Sequence, residues 1–599
     1  MARQVKVQIE LEGGKELKHV THLRINQYLN THHSFEIGVP FSVLEEASEH
    51  FFHQAHQAVC GKMITLSLSP ASDSDSFDFA FKGIVTEIIL MNTSDLANGF
   101  LLKGFSPTIV LEDSCTRRTF HQHSIQRIAE TVLDPYPGNL LRRQLKPRTT
   151  TDIPYSVQYD ETNFAFLNRL AAEHGEWFYY DGRELQLGPP ESGKAVDFMV
   201  DGIQLFSMSI NLQPTQQTLT AHDYRQPAQY TSQSGSQSVS GLGQFGSFAL
   251  QKSEDVFAQA SQQPAGWQIY GQSELDEVVK TRKSVSASGL LTFTGNGEIP
   301  DLVVGGVMDV QGMVLKRDKS SKESFGKYRI IDISHEVDGS GNYQNHFRAI
   351  AESADYPPPN PHVRTPVAQP ELATVTDNND PDKLGRVKVA FMWAGSDTES
   401  DWIRVSSTYT GSGQGALFVP ERDAHVLIGY EAARPDNPFV IGSFYPKKSG
   451  TDYTFSDNNR KMIQTKSGNQ LLFVENQGSE EIQITNVNHT ETMLTLSFAE
   501  NGKIILKTSG YIELSGDTIH LKAQRDLTLE AGNELVLKGQ NKAELTGEAS
   551  VEVGAPEVKI RADVGAELKA DASLKLTGAM VSLKGDAMVD VQAALIKLN

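Results

Sequence analysis

Cysteine is nearly absent from this chain, which carries only Cys60 and Cys115 among 599 residues. Two thiols cannot build a disulfide framework, so the fold must stand on burial and hydrogen bonding, and synthesis in a reducing cytoplasm is expected. Positive charge is also short, with 54 Lys and Arg against 74 Asp and Glu. The resulting formal charge of −20 argues against a nucleic-acid surface and against adhesion to anionic membranes, and it favours solubility. No run of about 18 apolar residues occurs, so neither a membrane-spanning helix nor stable membrane anchoring is expected. The amino terminus alternates Val5, Val7, Ile9 and Leu11 like a first strand and does not read as a cleavable signal peptide.

Catalytic signatures are equally scarce. There is no Gly-x-Ser-x-Gly elbow and no His-Glu-x-x-His pair. Residues 188–195 nearly spell a phosphate loop, but Pro189 and Pro190 lack the N–H donors it needs and Ala195 lacks the hydroxyl, so a turn is expected. Gly241, Gly243 and Gly246 match a dinucleotide fingerprint. Ser- and Gln-rich sequence precedes them and no helix is expected after them, so they read as a loop. His50, His53, His56 and Cys60 fall at helical spacing, beside Phe51 and Phe52, and read as an ordinary amphipathic segment. His32, His33, His121 and His123 are expected to be structural. Neither a cofactor, a metal nor an enzymatic activity is expected.

What the chain has in abundance is a repeat. From Ile504 onward, two apolar residues flank a third, and about five turn-like or charged residues follow. The pairs run Ile504/Leu506, Ile512/Leu514, Ile519/Leu521, Leu527/Leu529, Leu535/Leu537, Ala543/Leu545, Val551/Val553, Val558/Ile560, Ala566/Leu568, Leu574/Leu576, Val581/Leu583, Val589/Val591 and Ile596/Leu598. A two-residue period is the strand period, so both apolar side chains share a face and the middle residue points away. Glu513, His520, Glu552, Lys559 and Lys597 are typical middles, and only Ile505 and Val536 are apolar there. Gly516, Gly539, Gly547, Gly578 and Gly585 sit four residues after the first apolar member, where a corner is expected to need unusual backbone angles.

A single chain turning every eight residues encloses too little volume to bury two apolar side chains per turn. Three chains, each forming one wall of a triangular prism, would bury every pair and satisfy every strand edge. With strands stacked about 4.8 Å apart, the pairs make a stiff shaft of roughly 60 Å.

Upstream, the chain divides at residues 356–370, which hold six prolines and suit an extended linker. Residues 1–355 alternate like strands, as at 79–89 and 328–333, with a helix expected over 163–174 that presents Phe164, Leu167, Leu170 and Ala171 and is capped by Asp160 or Thr162. Residues 213–263, rich in Ser, Gln and Gly, are expected to form long surface loops. Residues 371–450 offer five short strands, at 385–391, 402–406, 416–419, 425–430 and 439–445, which suit an OB barrel. Residues 451–599 contain a strand-rich lead-in and the repeats. The fold class expected is mainly β: a hub with β-barrels and a few helices, an OB barrel, and a triple-stranded β-helix made by a homotrimer.

Several separated motifs, in order, resemble the valine-glycine repeat (VgrG) spike proteins of type VI secretion systems and related contractile injection machines. Residues 155–175, followed by Trp177, Phe178, Tyr179 and Tyr180, look like the family's tail-hub signature. His335 and residues 341–347 look like the hub's closing strand, and residues 380–389, 402–405 and 435–442 resemble the OB domain of a phage tail spike. Residues 469–473 and 478–480 are similar to the start of the triple-stranded helix. Met392 stands where the family often has proline before Trp393.

The resemblance implies a trimeric spike that caps an Hcp-like tube of stacked rings, meets baseplate proteins, carries effectors and punctures a target membrane when a sheath contracts. It implies a cytoplasmic protein that leaves without a signal peptide. A phage baseplate spike uses the same parts; a trimeric tail fibre or adhesin, and a cell-wall hydrolase, are further alternatives. The lysozyme domain of phage versions has no room at residues 445–459, and no effector domain is expected after the repeats. Leu595, Ile596 and Leu598 would then form a bare apolar end, where a PAAR-like tip protein is expected to dock.

Overall fold

The computed structural model describes residues 3–45, 54–72, 78–91, 99–191, 193–200, 205–226, 228–316, 319–446 and 457–598. They form two compact units, Met1–Ser456 and Asp457–Asn599.

Alternation builds the first unit. Strand Val5–Leu11 buries Val5, Ile9 and Leu11 and turns Lys6, Gln8 and Glu10 outward. It belongs to a 13-stranded sheet, in which the path runs Leu205–Ile210, Leu291–Gly297, Tyr343–Ala351, Lys319–Asp338, His22–Tyr28, Ser34–Pro40, Gly99–Phe105, Phe79–Met91, Met63–Pro70, Val5–Leu11 and Lys15–Glu16. The long strand Lys319–Asp338 is its spine, pairing with Val307–Lys316, Tyr343–Ala351 and His22–Tyr28. It joins two apolar cores, one around Ile25, Phe35, Phe81 and Phe100 and one around Phe198, Phe293, Ile330 and Phe347.

Five α-helices occur among the described residues: α1 Ala55–Val59, α2 Ile125–Leu133, α3 Asn163–Glu173, α4 Gly243–Val256 and α5 Gln272–Ser288. The helix expected over 163–174 is α3, and of the two expected caps it uses Thr162, whose hydroxyl accepts the Ala165 N–H at 3.1 Å. Its apolar face is buried, but so are Asn163, Asn168 and Arg169, so α3 is enclosed on more than one side. Arg169 is 1% exposed. It donates to both Glu161 oxygens at 2.8 Å, to Glu173 at 3.1 Å and to the Val157 carbonyl at 2.8 Å. Burial works against its charge, but the carboxylates of Glu173 and Glu161 outweigh that and hold its pKa above the ordinary value.

The Ser/Gln/Gly-rich stretch departs from expectation. Instead of long loops it forms strands Gln217–Asp223, Ala228–Gln233 and Ser261–Pro264, and α4. Its elements bury little: strand Gln217–Asp223 hides Leu219, Ala221 and Asp223, while α4 hides Gly246, Ala249 and Ser253. Such polar faces conceal their periodicity. The helix absent from the reading of Gly241, Gly243 and Gly246 begins inside that motif, at Gly243, but a short 3-10 turn at Ser234–Ser236 and a loop precede it, where a dinucleotide site needs a strand.

Residues 371–445 form a five-stranded sheet in the order Lys388–Phe391, Glu371–Asp377, His425–Tyr430, Pro438–Phe444 and Arg404–Val405. Strand Glu371–Asp377, which buries Ala373 and Val375, was not among those expected, and residues 416–419 are not a strand. Leu417 and Phe418, which suggested one, are 80% and 65% exposed. The proline segment has no regular structure yet is tied down: Ser288 donates to the Pro357 carbonyl at 2.9 Å and Asn360 to Asn168 at 2.8 Å. The second unit opens with an antiparallel meander, Arg460–Gln464, Asn469–Val474, Glu481–Asn486, Met493–Ser497 and Lys503–Lys507.

Replacing Arg169 with Met strands the buried carboxylate of Glu161 and leaves Glu173 with Arg434 alone. The variant should lose about 3–5 kcal/mol in urea titration of the first unit's transition. A loss under about 1 kcal/mol would contradict the assigned role.

A second expectation concerns acid. His33 and His335 are fully buried, and burial pushes both imidazoles down to about 3. Each has one ring nitrogen engaged, His33 Nε2 with the Tyr28 carbonyl at 3.2 Å and His335 Nδ1 with the Tyr343 hydroxyl at 2.7 Å, and one without a partner. Below pH about 6.5 the unfolded chain takes up protons that these folded rings refuse, so stability falls as pH drops, on the order of 2 kcal/mol per histidine at pH 5. Asp436, raised by burial to about 6, works the other way between roughly pH 4 and 6 and returns part of that loss. Denaturant midpoints at pH 7.5 and 5.0 should show a net decrease, smaller in His335→Gln.

Candidate functional site

The repeats are where sequence and physical chemistry demand a partner. Every residue from Ser509 to Leu598 is exposed, and none joins a strand ladder within the chain. The apolar pairs therefore stand uncovered: Ile519 and Leu521 are 52% and 59% exposed, and Leu574 and Leu576 57% and 59%. This is an exposed apolar surface far longer than a soluble protein leaves bare. The meander leads directly into it, since its last strand, Lys503–Lys507, contains the first pair, Ile504/Leu506.

The corner glycines are needed for a different reason than expected. None of Gly516, Gly539, Gly547, Gly578 and Gly585 has a positive φ. Instead the chain folds back so tightly that a Cβ at Gly539 would lie 2.2 Å from the Lys542 carbonyl oxygen, at Gly547 2.4 Å from that of Ser550, and at Gly585 2.4 Å from that of Met588. Glycine there makes room for the backbone itself.

At the far end, Leu595, Ile596 and Leu598 are 72%, 49% and 91% exposed. They belong to none of the apolar cores among the described residues.

Within the first unit, the region around residues 371–445 is locked to the hub by one carboxylate. Glu371 accepts from Trp393 Nε1 at 2.6 Å, from Arg117 at 3.1 Å and from the Tyr430 hydroxyl. Arg117 also forms a fork with Asp160 at 2.6 and 2.7 Å and lies 4.2 Å over the Tyr159 ring. The carboxylate of Asp160, helped by the charge of Glu371, holds the Arg117 pKa up, and the Arg117 guanidinium holds the Asp160 pKa down. Around these charges Val157, Tyr159 and Ala368 pack against Trp393 and Tyr430. Asp436 adds an acceptor for the Val157 N–H at 2.8 Å, and Arg434 reaches Glu173 of α3 at 2.9 Å. Sequence reading passed over Glu371, Arg117 and Arg434. Isolated charges carry no periodicity, and the one available hint was a charged residue opening a strand next to prolines and aromatics.

Of the His/Cys segment at helical spacing, His50 and His53 lie outside the described residues, His56 lies in α1 and Cys60 is an exposed free thiol, as is Cys115 elsewhere. Among the described residues no group of three or more His, Cys, Asp or Glu is placed to hold a metal ion. His32 bonds Thr108 at 2.8 Å and Glu112 at 3.1 Å, and His121 bonds the Glu399 carbonyl at 2.7 Å.

Two family models match. The phage tail baseplate hub covers residues 52–339, and the type VI secretion system/phage-baseplate injector OB domain covers residues 371–445. The type VI secretion system spike protein VgrG5 of Pseudomonas aeruginosa is 26% identical over 413 residues, 61% of this chain and 50% of that protein. VgrG1a of the same organism is 22% identical over 597 residues, 90% of this chain and 87% of its own. The actin cross-linking toxin VgrG1 of Vibrio cholerae is 25% identical over 289 residues, 41% of this chain and 25% of that one. The chain thus spans about half the length of VgrG5 and a quarter of the toxin. Among solved structures, a chain of the Francisella PdpA–VgrG complex in its half-lidded form matches in fold with a TM-score of 0.55 at 8% identity, over 84% of this chain and 88% of that one. The hub match, the OB match and the run of spike relatives carry one conclusion: the chain joins a phage-tail baseplate hub to an injector OB domain and is similar to the VgrG spike proteins of type VI secretion systems.

Proposed function

We propose that this chain works as a homotrimeric spike that caps the tube of a contractile injection apparatus and is driven into a target membrane. The observation that carries this reading is the uncovered ladder of apolar pairs, which one chain cannot bury and three chains can. Intertwining suits the task. A rung shared among three chains cannot open locally without breaking pairings in all three, so the shaft resists being pushed. The 597-residue alignment with VgrG1a, a spike protein by name, supports the same reading for most of the chain.

In this reading the hub meets an Hcp-like ring protein and baseplate proteins, and effectors travel with the spike. A PAAR-like tip protein covers Leu595, Ile596 and Leu598. The role is mechanical, with no chemistry of its own and no nucleic acid. The protein passes from cytoplasm to the outside through the apparatus. No helix among the described residues is long and apolar enough to cross a membrane.

Leu529→Asp or Leu537→Asp places a charge on the apolar face of a rung. In a strain with a working apparatus, each should abolish export of both spike and tube protein while leaving the hub folded by circular dichroism. Normal export would contradict a buried face. Deleting residues 589–599 should abolish co-purification of the tip protein, and unchanged capture would remove Leu595, Ile596 and Leu598 from the docking surface.

A further inference from the structure

A cavity of about 840 Å3 lies inside the first unit, between the hub and the five-stranded sheet of residues 371–445. That volume is typical of sites for small ligands. Hub residues Tyr155, Tyr224, Trp267 and Tyr270 line it from one side, and Asp401 and Trp402 from the other. We propose that this cavity binds a cation on an apolar stem, an alkylammonium or guanidinium group, with Asp401 as its counter-ion.

The charges around the wall decide the sign. Most wall carboxylates are already occupied. Glu173 is paired with Arg169 at 3.1 Å and Arg434 at 2.9 Å, Glu431 with Arg404, and Asp436 accepts the Val157 N–H at 2.8 Å. Asp401 is different. Half-buried, its carboxylate has neither a cation nor a hydrogen-bond donor among the described residues, and Asp152, the other wall carboxylate in that position, is exposed. Its charge instead bears on the phenols of Tyr155 and Tyr270, both held neutral chiefly by burial and then by neighbouring groups that include Asp401.

The unmet polar atoms agree with it. Tyr155 Oη, Gln268 Oε1 and Asn437 Oδ1 are buried without a hydrogen-bond partner among the described residues, and all three residues line the cavity. Buried oxygens are rarely left so, because each unmet group costs about 1–3 kcal/mol. Gln268 Oε1 and Asn437 Oδ1 can only accept and the Tyr155 hydroxyl can accept or donate, so beside the Asp401 carboxylate the unmet groups are mostly acceptors. Their complement is a group made of donors: an ammonium offers three and a guanidinium five.

The aromatic rings supply the third element. A cation over an aromatic face is attracted by the ring quadrupole. The chain's own guanidiniums already use these rings in that way, with Arg225 3.5 Å from the Tyr270 centroid, Arg404 4.5 Å from that of Tyr224, and Arg282 5.5 Å from that of Trp267. The other cation on the wall, Arg148, is spent: it lies 4.4 Å over Tyr356 and donates to the Asp355 carbonyl. The cation could be a free amine or a Lys or Arg side chain of a partner polypeptide, since both present the same group.

Calorimetric titration of the full-length assembled protein tests this with benzamidine, its isosteric anion benzoate, and the peptide acetyl-Gly-Gly-Arg-Gly-Gly-amide. Saturable binding of benzamidine or the peptide at one site per chain is expected, with none for benzoate, and at least about tenfold weakening in Asp401→Asn. Binding of benzamidine alone points to a free small molecule, and binding of the peptide alone to a polypeptide side chain; either supports the site. Equal binding of benzoate, no binding of either cation, or an affinity unchanged in Asp401→Asn overturns it. Benzamidine against benzoate on the unmodified protein needs no variant, and the site does not depend on what the repeats do.

Discussion

Everything distal to Lys503 depends on one constraint: two apolar side chains per eight-residue turn cannot be covered by the chain that carries them. A globular domain solves burial by folding its own sheet onto its own core, as the first unit does around Phe35, Phe81 and Phe293. The repeats lack the chain length per turn to do so. Their apolar faces stay open, their strand edges stay unpaired, and their corners are so tight that glycine is required for backbone clearance at Gly539, Gly547 and Gly585. Such a segment gains stability only with other copies, which makes assembly and folding one event.

The hub solves the opposite problem, that of a large, self-sufficient body to which a shaft can be fixed. Its buried and half-buried charges act at the joints. Arg169 ties α3 to strand Ile153–Glu161, and Glu371 gathers Arg117, Trp393 and Tyr430 where the OB strands meet the hub. A buried ion pair adds little net stability over an apolar core of the same shape. Removing one partner is costly, so each pair fixes one arrangement of the elements it joins. The same unit leaves Asp401 and three buried oxygens around its cavity without partners among the described residues, which is the ground for proposing a site there.

Legibility in the sequence followed periodicity. The shaft repeats, the strands of the hub and α3 were readable because their apolar residues recur at the spacing of one buried face. Leu595, Ile596 and Leu598 were singled out beside the last apolar pair, Ile596/Leu598, on the same ground, and their docking role is a proposal. The Ser/Gln-rich stretch was misread because strand Gln217–Asp223 buries a single large apolar residue, Leu219, beside the small Ala221 and the polar Asp223. Leu417 and Phe418 misled in the other direction, being apolar but exposed. The junction could not be read at all. Arg117 and Glu371 are 254 residues apart, and their meeting is decided by tertiary packing.

The central claim is that burial in the shaft requires three copies. Its most direct test is the mass of the full-length protein in solution by light scattering, alongside a chain ending after the meander at Lys507. The account predicts a mass of three chains for the full-length protein, held to the lowest measurable concentration, and weaker or lost association without the repeats. A full-length monomer at any concentration would contradict it.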